Sequence, residues 1–186
     1  MPVESTLLRQ ARILPLVMVA PILLGFWVDD YDSLTQHMSE LELRTGAVSW
    51  TVRISAFLSG ASIFGFALGL LLDDRRVRFA ATPWIAAAFG VGMMSNGIFI
   101  IGSPLHGLYG LPIFSVLLPL AFSAEYRTTW DLRAGFVRFS SWVAVLNLLY
   151  MWSLFAGFDP EDFRGLTQRA ATVVMFGWFA FVPKRT

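Results

Sequence analysis

One long uncharged stretch constrains this sequence more than any other feature. Residues 79–124 contain no Asp, Glu, Lys or Arg, a run of 46 residues. A transmembrane helix needs about 20 mostly apolar residues, because in lipid the backbone amides must form hydrogen bonds within the segment. The run is therefore long enough for two membrane-spanning helices. The turn-forming sequence Gly102-Ser103-Pro104 marks the break between them.

Four further stretches are uncharged and mostly apolar. They cover residues 13–28, 54–72, 139–158 and 170–183. Pro15 and Pro21 interrupt the first of these stretches, which favours a retained span over a cleaved signal peptide. We therefore expect an all-α fold, a polytopic membrane bundle formed by a single domain over residues 1–186. The predicted transmembrane helices cover about residues 8–28, 46–72, 80–101, 106–124, 137–158 and 165–183.

The composition excludes several classes of protein. Charged residues make up 15% of the chain, against about 25% in soluble domains. The 14 basic and 13 acidic residues give no general positive field, so we expect no nucleic acid as a partner. The chain has no cysteine, which excludes disulfides, thiolate metal sites and iron–sulfur clusters. The two histidines follow no zinc-binding pattern, and we expect no metal and no cofactor.

The distribution of basic residues predicts the orientation of the bundle. Arg and Lys near span ends concentrate on the cytoplasmic side of a membrane. Four arginines fall on one side of the predicted bundle and ten basic residues on the other: Arg9, Arg12, Arg75, Arg76, Arg78, Arg127, Arg133, Arg138, Lys184 and Arg185. This bias predicts a multi-pass bundle with both termini cytoplasmic.

Five polar residues stand out because all are predicted near the outer side of the bundle. Arg53, Asn96 and Arg169 lie within the second, third and sixth predicted spans. His106 lies in the turn between the third and fourth spans, and Glu40 lies in the long loop before the second. Charged groups within a membrane are costly, and they usually face the bundle interior or a wet cavity. These five residues are our candidate ligand-binding set.

Three arrangements of this set are open. In the first, the five residues line an outward-facing polar pocket, where Arg53 and Arg169 bind an anionic group. In the second, Glu40 pairs with one arginine and fixes the outer loop onto the bundle. In the third, both arginines reach lipid phosphates. We expect the Glu40 carboxylate to meet Arg53 or Arg169, and we expect Glu42 to be exposed.

These arrangements correspond to different functions. A pocket predicts binding or transport of an anionic amphiphile or lipid head group, with membrane lipids as the surrounding partners. An intramembrane enzyme acting on a lipid-like substrate would use His106 or Glu40 as the acid or base. A fully paired cluster predicts a structural accessory subunit. The sequence contains no G-x-S-x-G, P-loop or G-x-G-x-x-G motif, which favours a protein that is not an enzyme. The oligomeric state stays open.

Four short motifs resemble a known family in their order and spacing. They are Ser39-Glu40-Leu41, Arg53 ahead of a Gly-rich run, Gly102-Ser103-Pro104 with His106-Gly107, and Gly165-Leu166-Thr167-Gln168-Arg169. Together they resemble the prokaryotic six-helix membrane proteins grouped as the 998 family of domains of unknown function. The resemblance covers most of the chain and implies an inner-membrane bundle without an established activity. The family usually has glycine where this chain has Glu42.

Overall fold

The computed structural model describes residues 3–73 and 77–183, and within these ranges the regular structure is entirely helical. Arg75, Arg76, Lys184 and Arg185, which contribute to the predicted orientation, lie outside the described residues. Seven α-helices occur in the described ranges: α1 (Val3–Gln10), α2 (Leu14–Leu24), α3 (Ala47–Leu72), α4 (Thr82–Ile98), α5 (Phe114–Glu125), α6 (Ala134–Phe155) and α7 (Arg164–Phe181).

The first predicted span is divided into α1 and α2 by a short 3₁₀ turn, Ala11–Ile13. Pro15 follows the turn and has no backbone N–H to donate to the carbonyl of Ala11. The amide of Leu14 donates to that carbonyl instead, which tightens the chain into 3₁₀ geometry. The helical stretch continues through a second 3₁₀ turn, Gly25–Trp27.

Within the described residues, four helical stretches are long and apolar enough to cross a membrane: Val3–Trp27, Ala47–Leu72, Leu108–Glu125 and Ala134–Phe155. They are consistent with a multi-pass integral membrane protein. The other two predicted spans correspond to α4 and α7. The first has 17 residues, because the chain becomes extended at Phe99. The second has 18 residues and begins with the polar sequence Arg164-Gly165-Leu166-Thr167-Gln168-Arg169.

Helix α3 packs most extensively on α4, and glycines allow the two backbones to approach closely. A Cβ atom on Gly60 would lie 2.4 Å from the backbone nitrogen of Met94. A Cβ on Gly97 would lie 2.5 Å from the carbonyl oxygen of Arg53. Small residues have this role in membrane bundles, where van der Waals contact between helices replaces much of the hydrophobic driving force.

The two ends of the bundle differ in how they are filled. Aromatic rings pack edge to face around Phe122, Trp178 and Phe66 near the end where α5 and α7 finish. Trp178 is 1% exposed, and its indole N–H donates to Ser140 Oγ at 3.0 Å. No such aromatic core fills the opposite half among the described residues, and a cavity lies there instead.

Three long-range contacts fix which helix termini share an end. The guanidinium of Arg12 donates to the carbonyl of Val182, just after α7. The amide of Gly165, at the start of α7, donates to the carbonyl of Leu34 at 2.8 Å. Glu125, at the end of α5, accepts from the amide of Thr82 at 2.9 Å and so caps the start of α4. Helix α7 therefore runs antiparallel to α2, and α5 antiparallel to α4.

Candidate functional site

A cavity of about 390 Å³ lies between α2, α3, α4, α6 and α7. Two non-helical parts of the chain complete its wall: the 3₁₀ segment Met38–Leu43 before α3, and the turn that leads into Leu108–Ile113. Small-molecule sites in proteins typically enclose about 300–1,000 Å³. The cavity is therefore large enough for a small organic molecule.

Methionines form much of the apolar wall. Five of the seven methionines in the chain line the cavity: Met18, Met38, Met93, Met151 and Met175. A methionine side chain is unbranched and polarisable, so it adapts to apolar groups of different shape. This wall favours a flexible apolar molecule over one of fixed outline.

The polar part of the wall is centred on Glu42. Its residue is 5% exposed, and its Oε2 accepts the amide hydrogen of Ile101 at 3.0 Å. The same oxygen lies 3.6 Å from Nδ1 of His106. Burial raises the pKa of Glu42 to about 7, although the Ile101 amide and the charge of Arg53 act in the opposite direction. The carboxyl group is therefore poised to exchange a proton near neutral pH.

His106 has a defined tautomer in its neutral form. Its Nδ1 lies 2.8 Å from the carbonyl oxygen of Phe99, and a carbonyl can only accept. The hydrogen of neutral His106 therefore resides on Nδ1, which leaves Nε2 as a hydrogen-bond acceptor.

Asn96 contributes a further acceptor. Its Oδ1 is buried and has no hydrogen-bond partner in the structure, while its Nδ2 lies 3.8 Å from the sulfur of Met93. A buried amide oxygen without a donor is costly, which makes this position favourable for a ligand or water that donates.

The turn beside His106 has an unusual backbone. Four consecutive residues adopt positive φ: Gly107 at 70°, Leu108 at 41°, Tyr109 at 55° and Gly110 at 92°. Left-handed conformations cost about 1–2 kcal/mol for residues other than glycine. Gly107 and Gly110 both line the cavity, so the strained turn forms part of its wall.

Arg53 lies outside the cavity wall. Its Nε donates to the carbonyl of Gly97 at 3.2 Å and its second amino nitrogen donates to that of Ile98 at 2.8 Å. Its guanidinium also stacks 4.8 Å from the ring centroid of Trp50. Arg53 thus binds the last carbonyls of α4, where a positive charge is favourable.

Arg169 is likewise committed to the protein. It is 4% exposed, and its guanidinium donates to the carbonyls of Ser33 and Gly165 at 2.7 and 3.0 Å. It also donates to the hydroxyl of Tyr31 at 2.9 Å. Gly25 leaves room for it, because a Cβ there would lie 2.6 Å from the guanidinium. Arg169 therefore fixes the loop after α2 against the start of α7.

The predicted pairing of Glu40 with Arg53 or Arg169 is wrong. Glu40 Oε1 accepts the backbone amide hydrogen of His37 at 2.9 Å and lies 3.8 Å from Arg164. The side chain is held locally because it closes a capping box at the start of the Met38–Leu43 turn. Glu40 does not line the cavity described above.

The prediction that Glu42 is exposed is also wrong. The available signal was its spacing, because Met38, Leu41 and Glu42 stand at i, i+3 and i+4 and all three are buried. Of the five predicted ligand-binding residues, the structure brings Asn96 and His106 to the cavity wall, and it places Glu40, Arg53 and Arg169 elsewhere.

Comparisons with known proteins agree with the motifs. The family described as "Protein of unknown function (DUF998)" matches residues 13–182, which include every helix from α2 to α7. No curated protein and no solved structure matches the chain. Because the match extends over nearly the whole sequence, the chain belongs to the DUF998 family of proteins of unknown function.

Proposed function

We propose that this protein is a six-span membrane protein that binds an amphiphilic molecule from the surrounding membrane. The observation that carries the proposal is the mixed wall of the cavity, which five methionines line together with the polar residues Glu42, Asn96 and His106. Such a cavity suits a molecule with an apolar body and a small polar head. The cavity lies between helices, which is a common place for ligands in helix bundles.

Three contacts support six spans. Arg12 and Val182 meet at one end of the bundle, and Gly165 meets Leu34 at the other. Helix α7 thus covers the depth of the first helical stretch from Arg12 onward, and that stretch is itself long enough to span. The contact between Glu125 and Thr82 makes α4 an antiparallel partner of α5 in the same way.

The positive-inside rule supports cytoplasmic termini. Arg78, Arg127 and Arg133 lie in the loops at the end of the bundle where α1 begins and α7 finishes. The cavity's polar end, with Glu42, lies towards the opposite face. In this orientation the polar end faces outward from a plasma membrane.

The sequence predicts a pocket for an anionic head group, but the residues that line this cavity do not favour an anion. That expectation depended on Arg53 and Arg169, which bind carbonyl and hydroxyl groups of the protein and do not line the cavity. The charged side chain on the cavity wall is instead the carboxyl group of Glu42. We therefore propose a ligand whose head is uncharged or positive.

An enzymatic function is the second candidate, and one observation favours it. Glu42 and His106 lie 3.6 Å apart on the wall of the cavity, where an acid and a base within reach of a substrate could move a proton. In this version Glu42 takes the part that the sequence assigned to Glu40.

Filling the cavity tests the proposed binding. Ala56 lines the cavity on α3, and Ala61 lies on the same helix facing outward. We expect Ala56→Phe to lose molecules that co-purify with the wild type in native mass spectrometry, and Ala61→Phe to retain them. Equal retention by both variants, with both folded, would contradict the proposal. Turnover of a bound lipid that depends on His106 would favour the enzyme.

A further inference from the structure

We infer that the head group bound in this cavity is an organic ammonium ion, and that it replaces a proton on Glu42. The inference rests on the proposed function, because it assigns a chemical class to the ligand of the same cavity. It depends on the charges, acceptors and burial of the described residues around Glu42.

The first step is the charge on the wall. Among the described residues that line the cavity, Glu42 is the one carboxyl group, and neither lysine nor arginine contributes. A carboxylate that is 5% exposed needs a cation or a proton nearby, because an isolated buried charge is costly. An ammonium ion supplies that cation from the ligand.

The second step is the set of hydrogen-bond acceptors that Glu42, Asn96 and His106 contribute to the wall. Asn96 Oδ1 is buried without a partner. The Nε2 atom of His106 is an acceptor in the neutral tautomer fixed by Phe99. Glu42 adds its own oxygens, of which Oε2 already accepts from Ile101. An ammonium group offers several N–H donors and no acceptor, so it matches this set better than a phosphate or sulfate does.

The third step is the balance of the exchange. In the empty cavity near neutral pH, much of Glu42 carries a proton, since burial disfavours its ionised form. When an alkylammonium enters, the O–H bond of the Glu42 carboxyl group breaks and the proton leaves to bulk water. The carboxylate then forms an ion pair with the ammonium, and the net charge in the cavity is unchanged.

Several neighbouring groups affect the ionisation of Glu42. His106 faces Glu42 from the turn after α4, and the charge of Arg53 on α3 acts from farther away. The amide of Ile101 donates directly to the carboxylate. Arg53 favours the ionised form of Glu42, but its Nε and one of its amino groups bind the carbonyls of Gly97 and Ile98. The ion-pair contact of Glu42 within 4 Å is with His106.

Three probes with the same eight-carbon chain test the inference: octylammonium, 1-octanol and octyl sulfate. Binding to the purified protein in lipid nanodiscs is measured by titration calorimetry in buffers of different ionisation enthalpy, which counts released protons. We expect octylammonium to bind about tenfold more tightly than the other two probes. Its affinity should rise about tenfold per pH unit below the pKa of Glu42 and level off above it.

Variants assign the proton. Glu42→Gln should abolish both the preference for octylammonium and the proton release, whereas His106→Gln should keep the proton release. Loss of proton release in His106→Gln, with retention in Glu42→Gln, would overturn the inference. The wild-type proton count does not depend on how well either variant folds.

The outcomes separate this inference from the proposed function. One outcome is that all three probes bind wild type equally and without proton release, and lose this binding in Ala56→Phe. That outcome would contradict the ammonium assignment but would support the proposed ligand-binding cavity. Binding of none of the probes, or equal binding by wild type and Ala56→Phe, would contradict both.

Discussion

Glu42 Oε2 lies 3.6 Å from His106 Nδ1, although 63 residues of chain separate these two side chains. Glu42 belongs to the turn before α3, and His106 to the turn between α4 and the Leu108–Ile113 segment. The same carboxylate oxygen accepts from Ile101, so one acid ties both turns together at the end of the cavity. This relationship links the stability of the bundle to the protonation of its cavity.

The first prediction concerns pH. Because the pKa of Glu42 is raised from 4.5 to about 7, the folded protein binds a proton that the unfolded chain has released in this range. The free energy of unfolding should therefore fall as pH rises from 4.5 to 7, by about 2–3 kcal/mol, and stay level above. Glu42→Gln should remove this fall and be more stable than wild type at pH 8. Thermal unfolding of wild type and Glu42→Gln in detergent at pH 5 and pH 8 measures these differences in stability.

Glu161→Gln is the matched control, because Glu161 is exposed in the loop before α7. It should leave the difference between pH 5 and pH 8 unchanged. Identical pH profiles for wild type and Glu42→Gln would contradict the assignment of the titrating group.

The second prediction concerns Arg169. Arg169→Lys should lower the free energy of unfolding by about 3 kcal/mol, because an ammonium cannot reach the carbonyl and hydroxyl groups that the planar guanidinium bridges. Arg127→Lys should change it by less than about 0.5 kcal/mol, since Arg127 is exposed. Chemical unfolding followed by tryptophan fluorescence compares them. Equal stabilities would show that Arg169 does not fix the loop after α2.

The third prediction concerns two glycines. Gly60→Ala should destabilise the bundle, because its Cβ would lie 2.4 and 2.5 Å from backbone atoms of α4, which cannot move aside like a flexible side chain. Gly177→Ala should stabilise it by about 0.5–1 kcal/mol, since nothing lies within 4 Å and alanine favours helix. Melting temperatures of the two variants should shift in opposite directions. A shift in the same direction would contradict the close α3–α4 packing.

The fourth prediction concerns topology, and the absence of cysteine makes it accessible. Leu34 and Thr128 are exposed in loops after the first and fourth predicted spans. With six spans they lie on opposite faces of the membrane, whereas with α4 and α7 outside the membrane they lie on the same face. A membrane-impermeant maleimide added to intact cells should label Leu34→Cys and not Thr128→Cys. Labelling of both would contradict six spans, and the reverse pattern would contradict cytoplasmic termini.

Helix positions are the part of this structure that could be predicted best. The uncharged runs overlap each helix from α2 to α7. The hydrocarbon core of a membrane sets both the length and the polarity of a span, so such runs are a strong signal for helices. The break between α1 and α2 was less visible, although Pro15 is its cause. The four short motifs also indicated the correct family, since the DUF998 match covers residues 13–182.

The candidate site could be predicted only in part. His106 and Asn96 were selected because polar residues near an apolar run usually face inward, and both line the cavity. The same reasoning applies to Arg169, but its two amino groups bind carbonyl and hydroxyl groups of the protein, and it does not line the cavity. Glu40 and Glu42 are two residues apart. The sequence predicts that Glu40 folds over the bundle and that Glu42 is exposed, whereas Glu42 is the buried one of the two. In the short 3₁₀ segment Met38–Leu43, the side chain of Glu42 is buried, and that of Glu40 caps the start of the segment.

The sequence by itself determined that this chain forms apolar helices of membrane-spanning length, because lipid leaves the backbone few alternatives. It also contains the asymmetry of basic residues on which the proposed orientation depends. Only the tertiary structure decided which polar groups meet. Arg53 and Arg169 can bind any acceptor within reach. The packing of α3 on α4 and of α7 on the loop after α2 places backbone carbonyl groups beside them. Glu42 lies on the cavity wall and forms no ion pair with an arginine among the described residues. The 3₁₀ segment Met38–Leu43 directs its side chain into the bundle.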